Sequence, residues 1–136
     1  MKMNPYLNFK SNCEEAMRFY AKVLGGEILA MMPFEGTPAA EHVPAATRKN
    51  IMHACLKFGE TRLMASDCPN DQFEPMKGMY VALHPETPDE AERIFRDLSE
   101  GATVQMPLAE TFWAHRFGMM VDRFGTPWMI NCEKPM

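Results

Sequence analysis

The sequence predicts an α+β fold of two βαβββ modules, and three observations carry that prediction. Two amphipathic helices with clear start and stop signals occur at matching places in the two halves. A strand-like run precedes each helix and three more follow it. Landmarks also repeat: the steps from Tyr6 to Tyr80 and from Gly26 to Gly101 are nearly equal, and that from Gly59 to Gly125 is shorter. One long loop in the first half accounts for the difference. A single βαβββ unit leaves a sheet face that it cannot bury alone, so two copies belong together.

Taken in order, Tyr6–Phe9 forms the first strand. Ser11 and Asn12 can cap the helix that follows, and Glu14 and Glu15 fall in its first turn, where the helix dipole favours acids. Ala16, Phe19, Tyr20, Val23 and Leu24 make one apolar stripe, and Gly25-Gly26 stops the helix. Three strands are expected at 27–32, Ile51–Phe58 and 61–66, the last pair turned by Phe58-Gly59. The loop 33–50, rich in Pro, Ala, Gly and Thr, has the composition of a lid or of a surface excursion. In the second half the strand 80–83 leads to Thr87-Pro88-Asp89-Glu90, a capping box with Pro at the first helical position. Ala91, Ile94, Phe95 and Leu98 repeat the stripe and Gly101 closes it. Strands at 103–108, Ala114–Val121 and 127–132 complete the module, with Phe124-Gly125 in the last turn. The modules are therefore 1–67 and 78–136, joined by 68–77.

Composition narrows the function classes. The 136 residues are 46% apolar, enough to fill a core. No stretch nears the roughly 18 apolar residues of a membrane span, and no signal peptide is visible, so the expected location is cytoplasmic. The net charge of −4, with no basic cluster, speaks against nucleic acid as a partner. Four dispersed cysteines without a CxxC read as buried thiols rather than as disulfides or a zinc site. Fourteen methionines mostly fill gaps in the core, and some can line an adaptable apolar pocket.

Three segments resemble a known family. They are Asn4-Pro5-Tyr6-Leu7-Asn8-Phe9 with Asn12-Cys13-Glu14-Glu15-Ala16; His53-Ala54 with Leu63-Met64-Ala65-Ser66-Asp67; and the long run from Glu110 through Ala114-His115-Arg116-Phe117-Gly118 to Trp128-Met129-Ile130-Asn131. The chain resembles PhnB-like proteins of the glyoxalase, bleomycin-resistance and extradiol-dioxygenase (vicinal oxygen chelate) superfamily, over essentially its whole length. The resemblance implies one glyoxalase-like domain, 1–136, with a curved mixed sheet around a small-molecule cavity. It also implies a homodimer, and in metal-dependent relatives His or Glu ligands on the first and fourth strand of each module.

Those ligand positions fall at Tyr6 (or Pro5), Tyr80 (or Met79), Leu63 or Met64, and Met129, none of them His, Asp, Glu or Cys. A divalent metal needs several N or O donors together, so the expectation is no metal and no cofactor. A site rebuilt from His53, His115 and Glu110 is the alternative. His53 and His115 are the candidate catalytic residues, because histidine is the side chain whose ordinary protonation change lies near neutrality. The candidate pocket residues are Tyr6, Asn8, Tyr80, His84, Phe34, Trp113 and Met129. Trp128 is expected in the core. The favoured reading is a metal-independent binder of a small molecule. The alternative is an isomerase, lyase or oxygenase of the same fold using His53 and His115. Methyltransferase activity, a label similar sequences carry, is disfavoured, because a methyl donor of nucleotide type wants a doubly wound sheet and a glycine-rich first loop.

Overall fold

Strict alternation in the first strand, with Leu7 and Phe9 buried and Tyr6 and Asn8 exposed, already describes a sheet with one covered and one open face. The computed structural model describes residues 1–68 and 73–135. It divides into two units, Met1–Pro75 and Met76–Met136. Part of the expected connection 68–77 lies outside the described residues.

In the first unit β1 (Tyr6–Phe9), α1 (Cys13–Leu24), β2 (Glu27–Pro33), β3 (Ile51–Phe58) and β4 (Thr61–Asp67) follow one another. The sheet order is β1-β4-β3-β2, with β1 parallel to β4 and the other pairs antiparallel. The second unit repeats the plan with β5 (Val81–Leu83), α2 (Pro88–Leu98), β6 (Thr103–Ala109), β7 (Ala114–Val121) and β8 (Pro127–Glu133). Its order is β5-β8-β7-β6, again with the first strand parallel to the last. The fold is α+β, two four-stranded mixed sheets each carrying one helix.

Each core lies between helix and sheet. In the first unit Ala16, Met17, Tyr20 and Val23 of α1 are buried, as are Ala54, Leu56, Leu63 and Ala65 of the strands it packs on. In the second, Ala91, Ile94 and Leu98 of α2 are buried together with Met120, Trp128 and Ile130. Trp128 is fully buried, and its indole N–H donates to Asp122 Oδ2 at 2.8 Å. Asp122 also accepts from the backbone N–H groups of Phe124 and Thr126, so a single carboxylate shapes the β7–β8 turn.

Sequence expectation and structure differ in three local ways. Asn12 occupies the N-cap but its side chain makes no capping bond. The cap comes instead from the end of β4: Asp67 Oδ1 accepts from Cys13 N–H at 2.9 Å, and Oδ2 accepts from Ile51 N–H at 2.8 Å. Strands β2, β4, β6 and β8 each run one residue further than expected, and β5 starts at Val81 rather than Tyr80. Loop 33–50 contains two short 3-10 helices, Pro38–His42 and Ala45–Thr47. Its base is stitched by Phe34 N–H to Asn50 O and Glu35 N–H to Arg48 O, and Phe34 and Val43 are buried. The cap at Thr87 forms as expected, its Oγ1 accepting from Glu90 N–H at 3.1 Å.

Candidate functional site

Parallel pairing of β1 with β4 sets Tyr6 beside Met64 and Asn8 beside Ser66. Antiparallel pairing of β4 with β3 then sets Met64 beside Cys55. Because side chains alternate, Tyr6, Asn8, Met64, Ser66, Cys55 and His53 all belong to the open face, away from α1. Tyr6, 49% exposed, reaches over β4 to His53 on β3: its hydroxyl lies 3.1 Å from His53 Nδ1. The two rings stack at 5.8 Å between centroids with 27° between planes. Beside them Ser66 Oγ donates to Asn8 Oδ1 at 3.4 Å.

A hydroxyl bonded to an imidazole nitrogen is a proton-handling pair. With the imidazole proton on Nε2, the phenol donates to Nδ1 and His53 Nε2–H is left for a ligand. The second unit lacks this chemistry at the matching place. Tyr80 donates its hydroxyl to Gln105 Oε1 at 2.9 Å, and an amide takes up no proton near neutral pH.

The open face of the second unit offers aromatic and amide groups instead. Met129 pairs with Ala82 and Met119 at the centre of the sheet. Trp113, 40% exposed, stacks edge-on with Phe112 at 4.8 Å and with Phe117 at 5.2 Å. Its indole N–H donates to Asn131 Oδ1 at 3.2 Å; Asn131 Nδ2 donates to Glu133 Oε1 at 3.1 Å; and that oxygen lies 3.5 Å from His84 Nδ1. The chain His84–Glu133–Asn131–Trp113 holds the indole in a fixed orientation. Sequence reasoning named its two ends and missed Asn131 and Glu133. Alternation from Met129 along β8 was the signal that could have found them.

The remaining candidates are dispersed. Phe34 is buried at the base of the long loop. His115 is half-buried on β7, next to a register shift between Ala114 and Arg116. Glu110 forms an ion pair with Lys134 at 3.0 Å, which holds its carboxyl below the usual range. Cys13 sits fully buried at the start of α1, and burial, with Asp67 and Glu14 nearby, pushes its thiol up to about 12. It is a packing residue, since only a thiolate is reactive.

The donor set does not fit a resident divalent cation. Tyr6, Met64, Tyr80 and Met129, the residues standing where the resemblance led ligands to be expected, offer phenols and thioethers, a poor donor set for a divalent ion. Among the described residues no three His, Cys, Asp or Glu side chains converge on a point that could hold an ion. Glu110 is already committed to Lys134.

Comparison with known proteins supplies an independent line. A family model described as 3-demethylubiquinone-9 3-methyltransferase matches residues 1–131. Protein YjdN of Escherichia coli strain K12 is 34% identical over 142 residues, spanning 98% of this chain and 97% of YjdN. Protein PA1353 from Pseudomonas aeruginosa, a crystal structure, is 47% identical with a TM-score of 0.90 over 99% of each chain. A PhnB protein from Bacillus cereus, described by the same methyltransferase name, is 23% identical with a TM-score of 0.81 over 97% of this chain and 99% of its own. The bleomycin-binding protein of Streptomyces verticillus, solved with copper(II)-bleomycin, shares the fold alone, at 14% identity and a TM-score of 0.58 over 98% of this chain and 97% of its own.

Proposed function

Since the chain belongs to the PhnB-like family of the glyoxalase and bleomycin-resistance superfamily, we propose that it binds a small molecule on the open face of its first sheet, where Tyr6 and His53 meet the ligand's polar end. The observation that carries this reading is the 3.1 Å contact between Tyr6 Oη and His53 Nδ1 on an exposed sheet face. Tyr6 stands on β1, where the resemblance implies a ligand position in metal-dependent relatives, and His53 stands on β3. A paired phenol and imidazole keep the polar centre of such a site without a cation. The bleomycin-binding neighbour illustrates that this fold serves as a binder. Asn8, on the same face, is a further pocket residue in this reading, and a cytoplasmic homodimer is its expected form.

A thermal-shift screen of metabolite-sized compounds on the intact protein tests the proposal, with light scattering on the same sample to report the dimer. Hits are expected to stabilise the parent by several degrees and to bind at least tenfold more weakly to Tyr6→Phe and His53→Gln. Hits that bind both variants as tightly as the parent would place the ligand elsewhere and sink the reading.

A second reading rests on the same hydrogen bond. In the other tautomer Nδ1–H donates to the Tyr6 oxygen, so His53 Nε2 can take a proton from a bound substrate while the Tyr6 hydroxyl gives one back at another atom, which is the acid–base step of an isomerase. Catalysed turnover of a screened compound that is lost in His53→Gln would distinguish enzyme from binder. The methyltransferase name fits the architecture poorly. Each sheet has one parallel pair only, and no strand–glycine-rich turn–helix unit cradles a nucleotide-like methyl donor.

A further inference from the structure

We infer that the open face of the first sheet carries a phosphoryl-binding cleft formed by Lys57, Arg62 and Lys2, so that the ligand proposed above is a small molecule bearing a phosphate-like dianion; the inference rests on that reading of the face. Lys57 and Arg62 are direct cross-strand partners in the antiparallel β3–β4 ladder. Like charges placed opposite one another destabilise a sheet, and a bound anion relieves that repulsion. The segment leading into β1 brings Lys2 to the same place. All three cations line a cleft of about 600 Å³ together with Glu60 and Thr61.

Among the described residues the three cations of the cleft are not held in ion pairs, as several other cations of the chain are. Arg18, Arg93, Arg96, Arg116 and Lys134 each stand within 3.6 Å of a carboxylate. Among the described residues Lys2, Lys57 and Arg62 form no ion pair, although Glu27 is the register partner of Lys57 on β2. Three cations less the carboxylate of Glu60 leave the cleft a charge of +2. A phosphate monoester carries about −1.5 to −2 at pH 7, so the charges match. The guanidinium of Arg62 suits two phosphoryl oxygens at once, and the lysines add point charges.

Register ties the cleft to the proton-handling pair. Arg62 is two residues from Met64 on β4 and Lys57 two from Cys55 on β3, so both share the face of Tyr6 and His53. One such step along a strand is about 7 Å. His53 lies two such steps from Lys57 along β3, so a ligand anchored at Lys57 and Arg62 spans about 13 Å to reach the Tyr6–His53 pair.

Titration of the intact, isotope-labelled protein with inorganic phosphate at constant ionic strength, followed by amide chemical shifts, tests the cleft. Saturable shifts are expected at residues 57–62, with acetate at least tenfold weaker and chloride without effect. Arg62→Gln and the double variant Lys57→Gln/Arg62→Gln, all at exposed positions, should weaken phosphate binding at least tenfold, and Lys22→Gln, which removes an exposed charge on α1 outside the cleft, should leave it unchanged. Equal shifts with chloride, equal affinity for acetate, or undiminished binding in the double variant would each overturn the inference. The open face itself is tested separately, by the compound screen with Tyr6→Phe and His53→Gln, so loss of the cleft and loss of the face give different results.

Discussion

Asp67 joins three parts of the first unit: it ends β4, caps α1 through Cys13 N–H, and holds the first residue of β3 through Ile51 N–H. Only a carboxylate offers an acceptor to each N–H. In Asp67→Asn an amide NH₂ faces one of the two donors, leaving buried groups unpaired. A loss of about 1–3 kcal/mol is expected, measured by urea unfolding. Burial outweighs the two N–H donors and raises the Asp67 carboxyl above its ordinary value of 3.8. A group raised in the folded state contributes most stability below its unfolded value and loses it as pH rises through the folded one. The parent should therefore gain stability relative to Asp67→Asn as pH falls from 7 towards 4; a constant difference would contradict the shift. Tyr6 and His53 were legible as separate candidates from strand position and residue type. Their hydrogen bond was not, because it crosses an intervening strand and joins residues far apart in sequence.

Helix and strand elements follow local chemistry closely. Both helices lie where the apolar stripes put them, with Thr87 as the working cap of α2 and Gly25, at φ 73°, closing α1 in the left-handed conformation. The cap of α1 escaped sequence reasoning because Asn12 and Ser11 satisfy the local rule, whereas the acceptor used comes from β4. The glycine after α1 has a role that local rules do not show. A Cβ on Gly26 would lie 2.7 Å from Leu56 Cδ1 and 2.8 Å from the backbone oxygen of Lys57. Backbone cannot give way as a side-chain tip does, so Gly26→Ala is expected to cost about 1–3 kcal/mol as overpacking between α1 and β3. A melting temperature equal to the parent's would show that the junction is looser than the structure has it. The loop 33–50 reads as punctuation in the sequence; that its base is stitched and two of its side chains buried depends on contacts with its own far end.

For the whole molecule, the donor set leads to a direct expectation. Mn²⁺, Fe²⁺, Ni²⁺ and Zn²⁺ should leave the melting temperature unchanged and not bind stoichiometrically, and S-adenosylmethionine should also give no shift. A shift of several degrees with one metal would mean that a ligand set assembles outside the groups seen together here. A shift with the methyl donor would restore the methyltransferase reading. No described helix is long and apolar enough to cross a membrane. By itself the sequence determined the α+β class and the repeated βαβββ order. Periodicity, capping and residue identity are properties of short stretches, and they survive without knowledge of neighbours. Tertiary structure alone decided that Asp67 caps α1, that Tyr6 reaches His53, that Lys57 faces Arg62 and that Trp113 is wired through Asn131 and Glu133 to His84. These are meetings between strands, set by sheet order and register, which depend on how the whole chain buries its apolar faces.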